Sequence, residues 1–122
     1  MKKVLLILLL VLPFSLSYAQ QLSRQSRAEI AHLVAFVRTS SCQFNRNGSW
    51  HSATEAAKHI NKKYHYALDR GRIHSAEDFI RYAAAKSSFS SKAYIVRCKN
   101  GRTASSADWL ATELRRLRSH AE

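Results

Sequence analysis

Two cysteines, Cys42 and Cys98, place the strongest constraint on what this chain can fold into. Bonded to each other they close a loop of 57 residues (98 − 42 + 1). On a chain-entropy argument, closing a loop of that size is worth about 4 kcal/mol, a large share of what a small domain has. Whether they bond depends on the compartment, and the N-terminus speaks to that. Lys2 and Lys3 are followed by an apolar run over residues 4–12, broken by Pro13, and Ser17-Tyr18-Ala19 offers small residues to a peptidase. This is the pattern of a secretory signal peptide. The run is too short for a membrane-spanning helix, which needs about 20 residues. Cleavage is expected between Ala19 and Gln20, so that residues 1–19 are the signal and 20–122 form one domain. Export places the cysteines in an oxidising space, where a pair becomes a disulfide. A redox pair or half of a metal site are the alternatives, and neither is helped by the lack of a C-x-x-C spacing.

Apolar spacing supplies the elements. Ile30, Leu33, Val34 and Val37 fall at helical intervals, which predicts a first helix over about 23–38. Cys42-Gln43-Phe44-Asn45-Arg46 alternates, Asn47-Gly48 follows, and Ser49-Trp50-His51 completes a short hairpin. Asn-Gly suits it because a type I′ turn needs positive φ at both central residues. Ser52-Ala53-Thr54-Glu55 reads as a capping box, in which Ser52 takes the Glu55 amide and Glu55 reaches back to the Ser52 amide. It opens a second helix that ends near Gly71. Ser75-Ala76-Glu77-Asp78 opens a third, to about residue 86. A serine-rich loop, Ser87-Ser88-Phe89-Ser90-Ser91, leads to a strand over 92–98 with Tyr94, Val96 and Cys98 on one face. Ser105 or Ser106 caps a last helix carrying Leu110, Leu114 and Leu117. Joining the faces of Cys42 and Cys98 lays that strand on the hairpin. The expected fold is α+β: a single small domain, about four helices on a two- to three-stranded antiparallel sheet, with one disulfide.

Charge narrows the partners. The chain carries a formal +12, and +10 once Lys2 and Lys3 are removed (12 − 2). Such a balance favours anionic partners, from a small anion to an envelope glycan. Nucleic acid is disfavoured for an exported chain, and no cofactor is implied. Metalloprotease, nucleophile-elbow, phosphate-loop and S-x-x-K signatures are absent, which lowers the odds of the common hydrolase mechanisms.

The polar groups gather around the hairpin. Arg46 flanks the turn, His51 closes it, and Glu55 and His59 follow at intervals of four with Lys63 beyond. Such a row suits a divalent metal, but His51 precedes the helix cap and Glu55 belongs to the capping box. It reads instead as a helix edge with a Glu55–His59 contact. Arg46 beside the helix N-terminus is an anion site in outline, or else it pairs with Glu55. Ser88 and Ser90 offer hydroxyls to a ligand, and one would be a nucleophile only with a histidine base in reach. The expected ligand-binding residues are therefore Arg46, His51, Glu55, His59, Ser88 and Ser90, with no catalytic residue assigned.

The order Phe44-x-Arg46-Asn47-Gly48-x-x-His51, Glu55-Ala56, His59-Ile60, then Ala76-Glu77-x-Phe79-Ile80, Ser87-Ser88-x-Ser90 and Lys92-x-Tyr94-Ile95-Val96, resembles the YfeK-like family of small exported bacterial proteins, a domain of unknown function. The likeness runs from the first helix to the strand at Val96. Ser91 stands where the resemblance has glycine, and the cysteine pair is not general to the family. The resemblance implies a periplasmic location and a single domain, and it assigns no activity. The expected role is a non-enzymatic binding or accessory module. A small hydrolase of envelope material and an inhibitor or immunity-type protein are the alternatives.

Overall fold

A computed structural model of the chain describes residues 2–11 and 21–121. The expected cleavage point, with Pro13 and Ser17-Tyr18-Ala19, lies outside those residues. Residues 4–11 are exposed and form no helix, and no described helix is long and apolar enough to cross a membrane.

Helix α1 (Arg24–Thr39) begins at Ser23, whose hydroxyl accepts the Ser26 amide at 3.1 Å, and it buries Ile30, Leu33 and Val37. Strands β1 (Gln43–Arg46) and β2 (Ser49–His51) form the hairpin. Asn47 at φ 52° and Gly48 at φ 87° make the turn, as the sequence predicts. Helix α2 (Ala53–Asp69) starts at Ser52, whose hydroxyl accepts the Glu55 amide at 3.2 Å. It stops at Gly71, whose φ of 69° lets the Arg72 amide fold back to the Ala67 carbonyl at 3.1 Å. Helix α3 (Ala76–Phe79) is capped by Ser75 and runs on as a π-helical segment, Ile80–Ala84. Strands β3 (Ile95–Arg97) and β4 (Thr103–Ser105) precede α4 (Ser106–His120), capped by Ser105.

The sheet has the order β2-β1-β3-β4 and every pair is antiparallel. It therefore has four strands, where two or three were expected. The missed strand is β4: Thr-Ala-Ser is short, lies at an edge and has no apolar alternation, so its pairing with β3 is set by the turn at Gly101 and not by its residues. The central strands are β1 and β3, and Phe44 faces Val96 across them. Continuing that register sets Cys42 opposite Cys98, and the two are disulfide-bonded with their Cα atoms 4.2 Å apart.

One face of the sheet packs and the other meets water, the usual arrangement for an antiparallel sheet. Phe44 and Val96 point into the core. Trp109 of α4 meets Phe44 edge-on at 5.6 Å and stacks on Phe36 of α1 at 4.5 Å, which welds α1, α4 and the sheet together. On the outer face Arg97 donates to Gln43 at 2.9 Å and lies 4.0 Å over the ring of Trp50. The acidic groups gather elsewhere. Arg118 of α4 grips Glu29 of α1 and Glu77 of α3, while Glu113 takes Arg116 and His32.

Asn47 does more than turn the chain. Its amide nitrogen donates to Ser87 Oγ at 3.1 Å and its oxygen accepts from Ser90 Oγ. The hairpin turn therefore holds the serine-rich loop, a link that positive φ alone does not account for. Ser91 in that loop sits at φ 61°, a left-handed conformation that glycine adopts without steric cost. That is the position where the resemblance has glycine.

Candidate functional site

The inner edge of α2 and the packed face of the hairpin do not close completely. Between them lies a cavity of about 410 Å³. Phe44, Ala56, Ile60 and Tyr94 form its apolar wall, and Arg46, His51, Glu55, His59 and Lys62 are among its polar lining. Period-two alternation puts Phe44 and Arg46 on the same face of β1, and the register sets His51 opposite Phe44. The helical repeat brings Glu55, His59 and Lys62 along one flank of α2. Four of the six expected ligand-binding residues, Arg46, His51, Glu55 and His59, thus border one space.

Within it the polar groups do not pair as the sequence suggests. Glu55 accepts a hydrogen bond from His51 Nδ1 at 3.1 Å, so the return bond of the capping box is not made. His59 turns away from Glu55, and its Nε2 lies 3.2 Å from the Tyr94 hydroxyl. Arg46 has no carboxylate within ion-pair distance among the described residues. The expected Glu55–His59 contact and the Arg46–Glu55 pair are both replaced. The reason is that His51, held by β2, reaches Glu55 first. No three histidine, cysteine or carboxylate groups among the described residues converge as metal ligands.

The electrostatics are one-sided. Glu55 is the one carboxylate among the described lining residues, against Arg46, Lys58 and Lys62. Burial, reinforced by Arg46 and Lys63, holds His59 down to a pKa of about 4. It is a neutral imidazole at physiological pH. The Ser106 hydroxyl also borders the cavity; it is fully buried and has no hydrogen-bond partner among the described residues. An orphan of this kind is costly in a protein interior, and a ligand atom in the cavity would relieve it.

Beside this space, on the other side of His59, lies a second cleft of about 580 Å³. Arg46, His59 and Lys62 border both. Ser88 lies in this second cleft, apart from the first. Ser90 borders neither, and its hydroxyl is spent on Asn47. No histidine is hydrogen-bonded to Ser87, Ser88 or Ser90 among the described residues.

Sequence reasoning missed Tyr94, Lys62 and Ser106. Tyr94 reads as a core residue of a strand, yet only its ring is core: the hydroxyl reaches His59 and Lys63, at 3.2 and 3.1 Å. A tyrosine alternating with Val96 on an inward face carries a polar tip that must find a partner, and that was the available signal.

The half-buried imidazole makes stability depend on pH. His59 has a folded pKa of about 4 against about 6.5 in an unfolded chain. The unfolded state therefore binds the extra proton first, and the contribution is present above pH 6.5 and lost as pH falls toward 4. His59 is part-exposed, so solvent screening cuts the loss to about 1 kcal/mol. Denaturant titration at pH 7 and pH 5 should show that loss in the native sequence and not in His59→Asn; equal losses in both would refute it.

A model of a family of unknown function, DUF5329, matches residues 24–118 of the chain. No curated protein and no solved structure matches it.

Proposed function

The chain belongs to the family of unknown function DUF5329, and since that membership brings no activity with it, we propose from the cavity that it is an exported, non-enzymatic module that binds a small amphipathic anion. The acidic group would sit at Arg46 and Lys62, and the apolar body would lie against Phe44, Ala56, Ile60 and Tyr94. The observation that carries this reading is Arg46, a guanidinium that has no carboxylate partner among the described residues and lines a ligand-sized, apolar-walled space. Guanidinium is the group best shaped for carboxylate or phosphate. The unpartnered Ser106 hydroxyl offers the ligand a further polar contact. The site lies along the flank of α2, and not at its N-terminus, where Glu55 in the first turn offsets the helix dipole.

Export is supported by the residue 2–19 pattern, by the bonded Cys42–Cys98 pair, and by the resemblance to the YfeK-like exported proteins, which implies a periplasmic location. The hydrolase alternative lacks a base for Ser88 or Ser90, and the inhibitor alternative has no specific feature in its favour.

The test is an NMR titration with hexanoate and, separately, inorganic phosphate. Hexanoate should shift Ala56, His59, Ile60, Tyr94 and Ser106, and more strongly than phosphate does. Arg46→Ala should weaken hexanoate binding by roughly tenfold, the value of one charge-assisted hydrogen bond, with an unchanged unfolding midpoint. Shifts confined to Ala53 and Thr54, or full binding by Arg46→Ala, would sink the reading.

A further inference from the structure

The second cleft holds a nucleophile that the anion reading does not use. Lys63 of α2 lines it, and its amine donates to the Lys86 carbonyl at 2.7 Å and to the Tyr94 hydroxyl at 3.1 Å. Both acceptors are neutral. No carboxylate lies within ion-pair distance of this amine among the described residues. Arg46 on β1 is the charged group that most raises the cost of a second cation beside it. Lys63 is half-buried at the cleft wall, where its amine has two neutral acceptors and, among the described residues, no counter-ion.

We propose that Lys63 is a reactive amine that forms a Schiff base with a small carbonyl compound bearing an anionic group. The chemistry follows from the neighbours. The neutral Lys63 Nζ attacks the carbonyl carbon; a C–N bond forms and the carbonyl electron pair moves to oxygen. A proton passes from nitrogen to that oxygen to give the carbinolamine. Water then leaves as the C=N bond forms, so amine plus carbonyl gives imine plus water, with no oxidant or reductant. Because Lys63 donates to the Tyr94 oxygen, the Tyr94 proton is free to lie toward His59 Nε2, 3.2 Å away. Tyr94 is therefore the group positioned to carry the proton between nitrogen and oxygen, and neutral His59 is the acceptor behind it.

Arg46, Lys62 and Arg72 supply the selection for an anionic carbonyl, since no carboxylate borders this cleft among the described residues. Tyr66, Tyr82 and Phe89 give it a partly apolar rim, with Phe89 entirely exposed. Burial, with Arg46 next, brings the Lys63 pKa down to about 8, which leaves a useful fraction of free amine at neutral pH. The groups beside the Lys63 amine are Arg46 from β1, His59 from α2 and Tyr94 before β3, and no carboxylate is among them in the described residues.

The experiment is reductive trapping on the disulfide-bonded chain, with glyoxylate and cyanoborohydride at pH 7.5 and peptide mapping by mass spectrometry. Lys63 should be trapped about 10-fold or more faster than Lys62 or Lys58, because it alone of the three is held half-buried against Tyr94 with its amine free to attack. The rate at Lys63 should level off above about pH 8. Tyr94→Phe should slow trapping at Lys63 alone, with the fold checked by near-ultraviolet circular dichroism. Glyoxylate should outpace acetaldehyde at Lys63, and Arg46→Gln should remove that preference. Equal trapping of Lys62 and Lys63 would overturn the proposal, and equal rates for the two aldehydes would overturn the choice of ligand. Neither result depends on hexanoate binding in the first cavity.

Discussion

Replacing Cys42 and Cys98 together by serine is expected to lower the stability of the folded chain by about 4 kcal/mol, through the entropy that a 57-residue loop regains when it opens. The structure says why the loss should be close to the full chain-entropy value. The two cysteines stand opposite each other at the end of the β1–β3 ladder, with their Cα atoms 4.2 Å apart. The bond thus clips the two central strands, whose register also fixes Phe44 against Val96 and, through Tyr94, the position of His59. Each strand is only three or four residues long, and so short a pairing is marginal alone. Urea unfolding of oxidised, reduced and doubly substituted protein measures the effect. Reduced and substituted forms should unfold at similar, much lower midpoints. A loss below about 1 kcal/mol, no more than an exposed ion pair contributes, would mean that the helices hold the sheet without it.

How far the sequence could lead is clearest at the hairpin. Asn47-Gly48 and Ser52 act through local rules, a turn that needs positive φ and a hydroxyl that caps a helix, so their roles were legible from spacing alone. The cysteine pairing was legible because only two cysteines were present. The partners of Glu55 and His59 were not. Each has several candidates at helical intervals, and the choice was made by residues distant in sequence: His51 brought up by β2, and Tyr94 brought in by β3. Likewise Asn47 bonds Ser87 and Ser90, some forty residues away, and nothing local announces it. The cavity itself is the gap left where α2 leans on the hairpin, and a gap has no residue pattern. What was legible is that polar residues crowd around Phe44–Ile60; that they border a space with an apolar wall needed the third dimension.

The second large effect is expected at Arg118. Its guanidinium donates to both oxygens of Glu29, from Nε at 2.8 Å and from Nη2 at 3.1 Å, and its remaining Nη1 donates to Glu77. One side chain near the end of α4 therefore ties down α1 and the start of α3. Glu29 is almost fully buried. Arg118→Met leaves that carboxylate inside the protein without a counter-charge. Breaking one side of a buried pair costs about 3–5 kcal/mol; Arg118 itself is 43% exposed, and water that reaches it reduces the expected loss to about 2–3 kcal/mol. The loss belongs to the stranded charge and not to the missing contact, so Glu29→Gln in the Arg118→Met background should recover most of it. The pH dependence carries a second signature. Hydrogen bonding to Arg118 is the main cause that holds Glu77 below the usual carboxylate range. Its contribution is therefore present above the unfolded carboxylate pKa, near 4.3, and is lost as pH falls through the lower folded value. Thermal unfolding from pH 7 to pH 3 should show the gap between native and Arg118→Met proteins narrowing below about pH 4.5. A gap that stays constant to pH 3, or a double variant no more stable than Arg118→Met alone, would show that Arg118 acts by packing its aliphatic stem and not by compensating Glu29 and Glu77.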